Sequence, residues 1–346
     1  MRLRIGLVAS LTIAAILIVG TLVIGLPGKT AGVKRLTDTW RPAFTTQAVK
    51  QERANFDEIQ AMAAQLQTQV APALSQELHL TPAGFNQLLE KDFPAVAAGV
   101  SQLGTILPRF GALVTGIQQQ RANFSKADAI ALRRPLHLPP TTVPWLLILP
   151  GLAVLLLAIT ALVRGGSWAR RSPLAIAAIG AVLVVAPIAV SVPAKATAVD
   201  QLTAAFRPAF APAAVRQTRT DMNTVQAMAD QLQAKLLPGL ATALKVTPTQ
   251  LQSNLHSAFP AFARGVADLP VILPRFQRLV TNLQVTAGAD FNDASSIPWS
   301  GAPTTTLTWL FIIPGLLLVF AGGVPLLVAR REQERLTASP APARAA

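Results

Sequence analysis

The sequence predicts an all-α membrane protein, in which four transmembrane helices carry two tandem-repeated extracytoplasmic helical hairpin domains with coiled-coil-like packing. Three observations support this fold class. The chain of 346 residues is 51% hydrophobic and only 13% charged, whereas soluble domains carry about 25% charged residues. The hydrophobic residues gather into four long runs. The two halves of the chain also repeat the same short blocks at a constant spacing.

Four uncharged runs are long enough to cross a bilayer. They cover residues 5–26, 143–163, 173–192 and 307–328, each close to the roughly 20 residues that a spanning helix needs. The runs lack the alternation of barrel strands, so helices must satisfy their backbone groups in lipid. A signal peptide is the alternative interpretation of the first run. Its length, and its alignment with the internal third run, favour a retained span.

Arginine placement predicts the orientation of the spans. Arginines precede the first run, fill the short link between the second and third, and follow the fourth; they are Arg2, Arg4, Arg164, Arg170, Arg171, Arg330 and Arg331. The positive-inside rule then places both termini and the link in the cytoplasm, with the protein in the cell (plasma) membrane.

The predicted domain order follows from these spans and this orientation. It is a span at 1–26, an extracytoplasmic helical domain at 27–142, a span at 143–164, a cytoplasmic link at 165–172, a span at 173–192, a second extracytoplasmic domain at 193–306, a span at 307–329 and a disordered cytoplasmic tail at 330–346.

The two halves of the chain look like an internal duplication. Residues 60–67 closely match 226–233, residues 106–110 match 272–276, and residues 41–44 match 207–210. All three pairs share the same difference in residue number, which we call the repeat offset. The offset shortens by two at the second and fourth runs, where Trp145 matches Trp309. Each half would be a span, an external domain and a span, so we expect a parallel repeat about an axis along the membrane normal.

The external segments have helical periodicity. Apolar residues step by four and three between 96 and 117 and between 262 and 283, with shorter stripes at 56–70 and 222–236. Such stripes pack against a partner helix, so each segment is expected to form an antiparallel hairpin or small bundle. Proline after Thr81, Thr247, Phe93 and Phe259 predicts four helix starts.

The repeated Ile-Leu-Pro-Arg-Phe block is the most motif-like feature of the chain. It supplies six candidate site residues: Pro108, Arg109, Phe110, Pro274, Arg275 and Phe276. One interpretation is structural: a proline that kinks or splits the helix, a phenylalanine in the core and an arginine in solvent or in a local pair. The other is a contact for a protein partner or a lipid.

A second pair of candidate positions lies inside the spans. Pro150-Gly151 and Pro314-Gly315 would be hinges, or else sites where kinked spans pack closely. Small residues in spans one and three also suggest that these two spans meet near the repeat axis, with Ala14 facing Gly180.

No residue pattern indicates catalysis. The chain has no Cys and only three, widely separated His residues, and it lacks the metal, phosphate-loop and nucleophile motifs. No cofactor, metal or nucleic-acid ligand is expected, although the net charge is +14, because the cations are scattered or lie beside the spans. The expected function is a non-catalytic envelope scaffold or accessory subunit that binds membrane lipid and an envelope protein. The alternative is a transport component, a channel or a lipophile transporter subunit, which uses the kinked four-helix bundle.

Overall fold

The computed structural model describes residues 2–23, 25–129, 140–287 and 304–337, and within these ranges it contains helices and no strands. The helices of the first half are α1 (Arg2–Val23), α2 (Leu26–Trp40), α3 (Thr46–Gln65), α4 (Ala71–Glu77), α5 (Pro82–Asp92), α6 (Pro94–Asp128) and α7 (Trp145–Arg164). Those of the second half are α8 (Gly166–Ala189), α9 (Val192–Phe210), α10 (Pro212–Gln231), α11 (Leu237–Ala243), α12 (Pro248–Ala258), α13 (Pro260–Thr286) and α14 (Thr306–Thr337).

The chain forms two compact units, and each takes residues from both halves. The span unit comprises Met1–Thr37, Asn123–Thr203 and Asp293–Ala346; the bundle unit comprises Asp38–Ala122 and Ala204–Asn292. The sequence suggests one helical domain in each long segment between spans. Instead, the central parts of these two segments share a single unit.

The span unit contains three helices that are long and apolar enough to cross a membrane: Ile5–Val23, Trp145–Arg164 and Arg171–Ala189. A shorter apolar helix covers Thr308–Val324 within α14. The protein is therefore a membrane protein with at least these three candidate spans, and the part of the chain that the structure describes is all-helical. The helix α14 continues to Thr337, into the part expected to be a disordered tail, and residues 338–346 lie outside the described ranges.

Glycines bring α1 into close contact with α7, and α8 into close contact with α14. A Cβ on Gly151 of α7 would lie 3.5 Å from the carbonyl oxygen of Ala14 in α1. A Cβ on Gly180 of α8 would lie 2.6 Å from the carbonyl oxygen of Gly315 in α14. Because these glycines leave little or no room for a side chain, α1 packs on α7 and α8 on α14 at backbone distance. The expected facing of Ala14 and Gly180 is wrong: Ala14 packs against α7, and Gly180 packs against α14.

Each of two spans ends shortly before a proline. Helix α1 ends at Val23 and α8 at Ala189, and positive φ angles of 68° at Gly25 and 59° at Ser191 turn the chain. Pro27 and Pro193 then lie in the first turn of α2 and α9, where a missing N–H costs nothing. The chain therefore turns shortly before each proline, and the proline begins the next helix.

The helix starts in the bundle unit follow the sequence signals. Thr81 caps α5 by accepting a hydrogen bond from the N–H of Gly84, and Thr247 caps α12 by accepting one from Gln250 within a capping box. Helices α6 and α13 begin at Pro94 and Pro260, as expected.

Two other pairs of prolines affect the helices of the bundle unit. Pro72 and Pro238 have the same effect, whereas Pro42 and Pro208 differ. A π-helical turn, Leu66–Val70, precedes Pro72, and Leu232–Leu236 precedes Pro238. The wider turn moves the carbonyls away from a proline ring that cannot donate a hydrogen bond. Pro42 separates α2 from α3, whereas Pro208 lies inside α9, close to its end.

Candidate functional site at the junction of the two halves

The arginine of the first motif is bound by the second half of the chain. Arg109 Nη1 in α6 donates to Asp221 Oδ2 at 2.9 Å and to Oδ1 at 3.1 Å. Gln217 Nε2 donates to the same carboxylate at 2.7 Å. Asp221 is only 1% exposed, while the Arg109 side chain is 45% exposed. This arginine therefore forms an ion pair between α6 and α10. The helix α6 continues through Pro108 without splitting.

The arginine of the second motif faces the equivalent place in the first half. Arg275 Nη1 lies 3.3 Å from the side-chain oxygen of Asn55, in the amide orientation that satisfies this residue. Asn55 is buried, and the repeat offset relates it to Asp221, as it relates Arg109 to Arg275. In both halves the motif arginine thus faces the equivalent position of the opposite half. That position is the carboxylate Asp221 for Arg109 and the amide Asn55 for Arg275.

A second carboxyl group compensates for the neutral Asn55. Burial raises the pKa of Glu52, and the positive charges of Arg275 and Arg278 offset part of that increase. One oxygen of Glu52 is buried and has no hydrogen-bond partner among the described residues. The negative charge near Arg275 therefore comes from the Glu52 carboxyl group, one helical turn before Asn55. One oxygen of this group lacks a hydrogen bond from the described residues.

The two motif phenylalanines meet in the core. The rings of Phe110 and Phe276 pack edge to face with centroids 5.8 Å apart, and their exposures are 7% and 3%. The expectation that both are core residues is confirmed. They line an apolar cavity of about 30 Å³ with Met62, Met228 and Leu269 among its other walls. A void of this size and character is expected to stay dry.

Glutamines from each half cap a helix of the other half. Gln65 Oε1 accepts a hydrogen bond from the N–H of Phe262 at 2.7 Å. Gln231 Oε1, its equivalent in the second half, accepts from the N–H groups of Ala95 at 2.8 Å and Val96 at 3.0 Å. The first N–H groups of a helix lack intrahelical partners. These glutamines therefore satisfy the starts of α13 and α6.

Glycines next to these helix starts admit methionines from the opposite half. A Cβ on Gly99 would lie 2.4 Å from the sulfur of Met228, and a Cβ on Gly265 would lie 2.6 Å from Cβ of Met62. The repeat offset again relates the two contacts. The halves are thus held together by an ion pair, an aromatic ring contact, glutamine caps at two helix starts and close side-chain packing.

An aromatic cluster forms a further contact between the halves. Trp40, Phe44, Phe206 and Phe210 have ring centroids 6.0–6.4 Å apart. Trp40 Nε1 donates to Thr286 Oγ1 at 2.8 Å, so the indole N–H is satisfied inside the core.

One carboxyl pair in the bundle unit has no counterpart related by the repeat. Burial raises the pKa of Glu58, a hydrogen bond and the negative charge of Asp268 raise it further, and Arg264 lowers it in part. The equivalents of Glu58 and Asp268 in the opposite halves are Thr224 and Gln102. The pair is therefore specific to one side of the junction.

A larger apolar cavity lies within the second half of the bundle unit. Its volume is about 350 Å³, and its walls include Leu251, Leu255, Phe262 and Val266, with Gln233 and Gln252 among the polar residues. Ligand pockets start at about 300 Å³, so the cavity has room for a small lipophilic group.

The structure brings the motif residues of both halves into one unit, whereas Pro150-Gly151 and Pro314-Gly315 belong to the span unit. Sequence reasoning missed Asn55 and Asp221, because these residues differ between the halves. It also missed the role of Gln65 and Gln231, although both lie in a repeated block.

Within the described ranges, no group of three or more His, Cys, Asp or Glu residues is placed to hold a metal ion. No protein-family model, curated protein or solved structure matches this chain.

Proposed function

We propose that this protein is a non-catalytic scaffold or accessory subunit of the cell envelope, anchored by four spans and presenting one bundle assembled from two duplicated halves. The observation that carries the proposal is the use of the motif residues. Arg109 pairs with Asp221, Phe110 packs on Phe276, and Arg275 faces Asn55. Because these side chains join the halves, the outer surfaces of the bundle remain as the part that a partner can bind.

Several observations support the duplication, the fourth span and the proposed orientation. Contacts at the junction recur in pairs related by the repeat offset. The apolar helix Thr308–Val324 packs on α8 at Gly180 and Gly315 as α7 packs on α1. Arginines lie beside the link and at both ends of the chain, which favours cytoplasmic termini and an external bundle.

The orientation is tested with single cysteines in a chain that has none of its own. Cysteines replacing the exposed Gln118 and Thr281 are expected to react with a membrane-impermeant thiol reagent on intact cells. One replacing Ser167 is expected to react only after permeabilisation. If only the cysteine at position 167 is labelled on intact cells, the orientation is the opposite of the one proposed.

The scaffold role is tested by photo-cross-linking in living cells. A photoreactive amino acid at Gln118 or Thr281 is expected to give one discrete protein adduct, and the same residue at the buried Leu269 serves as the control for random capture. Adducts with lipid alone, or no adduct from any exposed position, would contradict the scaffold proposal.

The second candidate is a transport component for a lipophilic molecule. The apolar cavity of about 350 Å³ beside Leu251 favours it. The spans contain no ionisable residue, which argues against ion-coupled transport but is compatible with a lipophile. Position 85 in the first half, equivalent to 251, is a phenylalanine, so Leu251→Phe is a natural cavity-filling change. It is expected to abolish binding of a fluorescent fatty acid to the purified protein. Equal binding by both proteins would remove this support.

A further inference from the structure

The C-terminal part of α7 and the first turns of α8 line a small cavity whose wall carries both apolar and polar groups. Its volume is about 210 Å³, and its walls are Leu157, Trp168, Arg171, Ser172 and Ala175. This is below the roughly 300 Å³ of a drug-sized pocket, so it suits a compact headgroup rather than a large ligand.

A buried hydroxyl in the cavity wall lacks a partner. Ser172 is 2% exposed, and its Oγ has no hydrogen-bond partner among the described residues. A serine inside a helix commonly donates to the carbonyl one turn earlier, as Ser10 does to Gly6. Leaving a buried hydroxyl unsatisfied is costly, so the free hydroxyl indicates a polar ligand.

One cation and one indole line the same cavity, and a second cation lies over the indole. Arg171 lines the cavity, and the guanidinium carbon of Arg164 lies 6.0 Å from the ring centroid of Trp168. Trp168 is 48% exposed, and partly exposed indoles are typical of the membrane interface. Positive φ angles at Gly165 and Gly166 turn the chain between the two helices and bring these residues to one end of the helix pair.

We propose that this cavity binds the phosphate of an anionic phospholipid headgroup at the cytoplasmic surface of the membrane. Arg171 supplies the charge, Ser172 donates a hydrogen bond to a phosphate oxygen, and Trp168 packs beside the glycerol region. Basic pockets between spanning helices on the cytoplasmic side bind such headgroups. The assignment rests on the proposed insertion of α7 and α8 into the membrane, and it is independent of the scaffold role.

The test is lipid binding by the purified full-length protein in a mild detergent, followed by native mass spectrometry during titration with phosphatidylglycerol or phosphatidylcholine. The protein is expected to prefer phosphatidylglycerol. Arg171→Gln is expected to weaken this binding about fivefold, the effect of one cation near an anionic headgroup. Ser172→Ala is expected to weaken it about tenfold, the effect of losing a hydrogen bond to a charged group, while Ser172→Thr retains it.

The matched control is Arg331→Gln, which removes a cation proposed to lie on the same side of the membrane but far along the chain. It is expected to leave the affinity unchanged. An equal loss of phosphatidylglycerol affinity in Arg331→Gln and Arg171→Gln would show that the arginines attract the lipid only through general surface charge. That result would overturn the proposed site.

A competition arm separates the lipid from free phosphate. Inorganic phosphate at millimolar concentration is expected to leave the bound lipid in place, and displacement would assign the site to soluble phosphate instead. Because cysteine labelling at 167 reports orientation independently, an inverted orientation is distinguishable from an absent site.

Discussion

Removing the arginine of the Arg109–Asp221 pair is expected to weaken the bundle more than neutralising the aspartate. Arg109→Met would leave a carboxylate that is 1% exposed with Gln217 as its remaining donor. Breaking a fully buried pair in this way costs about 3–5 kcal/mol. Because the Arg109 side chain is 45% exposed, solvent already screens the pair, and we expect about 2–3 kcal/mol.

Neutralising the aspartate is expected to be milder. Asp221→Asn keeps an oxygen that can accept from Arg109 and Gln217, and it reproduces the asparagine that faces Arg275 in the other half. Only the charge assistance of the hydrogen bonds is lost, so we expect a cost of about 1 kcal/mol. The double variant should cost less than the sum of the two changes, with a coupling energy of about 1–2 kcal/mol.

The assay is hydrogen exchange of the full-length protein in detergent, which reports the opening free energy of the bundle helices separately from the spans. Arg53→Met is the control, because it breaks an exposed pair with Asp57 whose side chains are 44% and 52% exposed. Its expected cost is at most about 0.5 kcal/mol. A cost for Arg109→Met no larger than for this control, or a larger cost for Asp221→Asn, would refute the argument.

Three further changes test the packing, the caps and the acid response. Gly322→Ala is expected to loosen α14 from α8 and lower the melting temperature, because its Cβ would lie 2.3 Å from the Pro173 carbonyl; Gly323→Ala, which meets nothing within 4 Å, should not. Gln231→Ala should accelerate exchange at the start of α6 and cost about 1 kcal/mol, more than Gln65→Ala, because Gln231 accepts two hydrogen bonds and Gln65 one. Glu58→Gln should stabilise the bundle at pH 7, and this gain should fade as the pH drops toward 4.5. The raised pKa of Glu58 means that the folded state binds the proton more strongly than the unfolded chain; a gain independent of pH would refute this cause.

Much of the local structure could be predicted from the sequence because its causes are local. Thr81 and Thr247 cap helices, and Pro94 and Pro260 begin them, through interactions within one turn. The apolar stripes likewise predicted which faces are buried. The pairing of the helices could not be predicted in this way, since a stripe shows that a helix needs a partner and not which helix supplies it.

The contacts between the two halves could not be predicted from the sequence for a second reason. Repeated blocks drew attention to Arg109 and Arg275, but the residues that bind them, Asp221 and Asn55, differ between the halves. Recognising them requires knowing that α6 and α13 each contact the opposite half. The cavity beside Ser172 could not be found from the repeat, because the residues related to Arg171 and Ser172 by the repeat offset are Ile5 and Gly6.

The two arginines have carboxylates at different positions, and this difference gives a final prediction. Arg109 pairs directly with Asp221, whereas Arg275 faces the neutral Asn55 and receives negative charge from Glu52. The equivalent of Glu52 in the second half is Thr218. The double variant Glu52→Thr, Asn55→Asp therefore copies the second half into the first and moves the carboxylate next to its arginine.

Moving the carboxylate from position 52 to position 55 should preserve the stability of the bundle at pH 7. It should also remove the dependence of stability on pH that Glu52 causes. Because burial raises the pKa of Glu52, the folded protein gains stability as the pH falls through that pKa toward 4.5, and the variant lacks this contribution. The opening free energy measured by hydrogen exchange of the bundle at pH 7 should differ from that of the unmodified protein by less than about 1 kcal/mol, because one carboxylate replaces another beside the same arginine and the change is no larger than the net worth of one hydrogen bond. Asn55→Asp alone brings a second carboxylate beside Glu52 and serves as the control, with a steeper acid response expected from like charges in contact. A double variant less stable than both Asn55→Asp and Glu52→Thr alone would show that the two arginine sites are not equivalent.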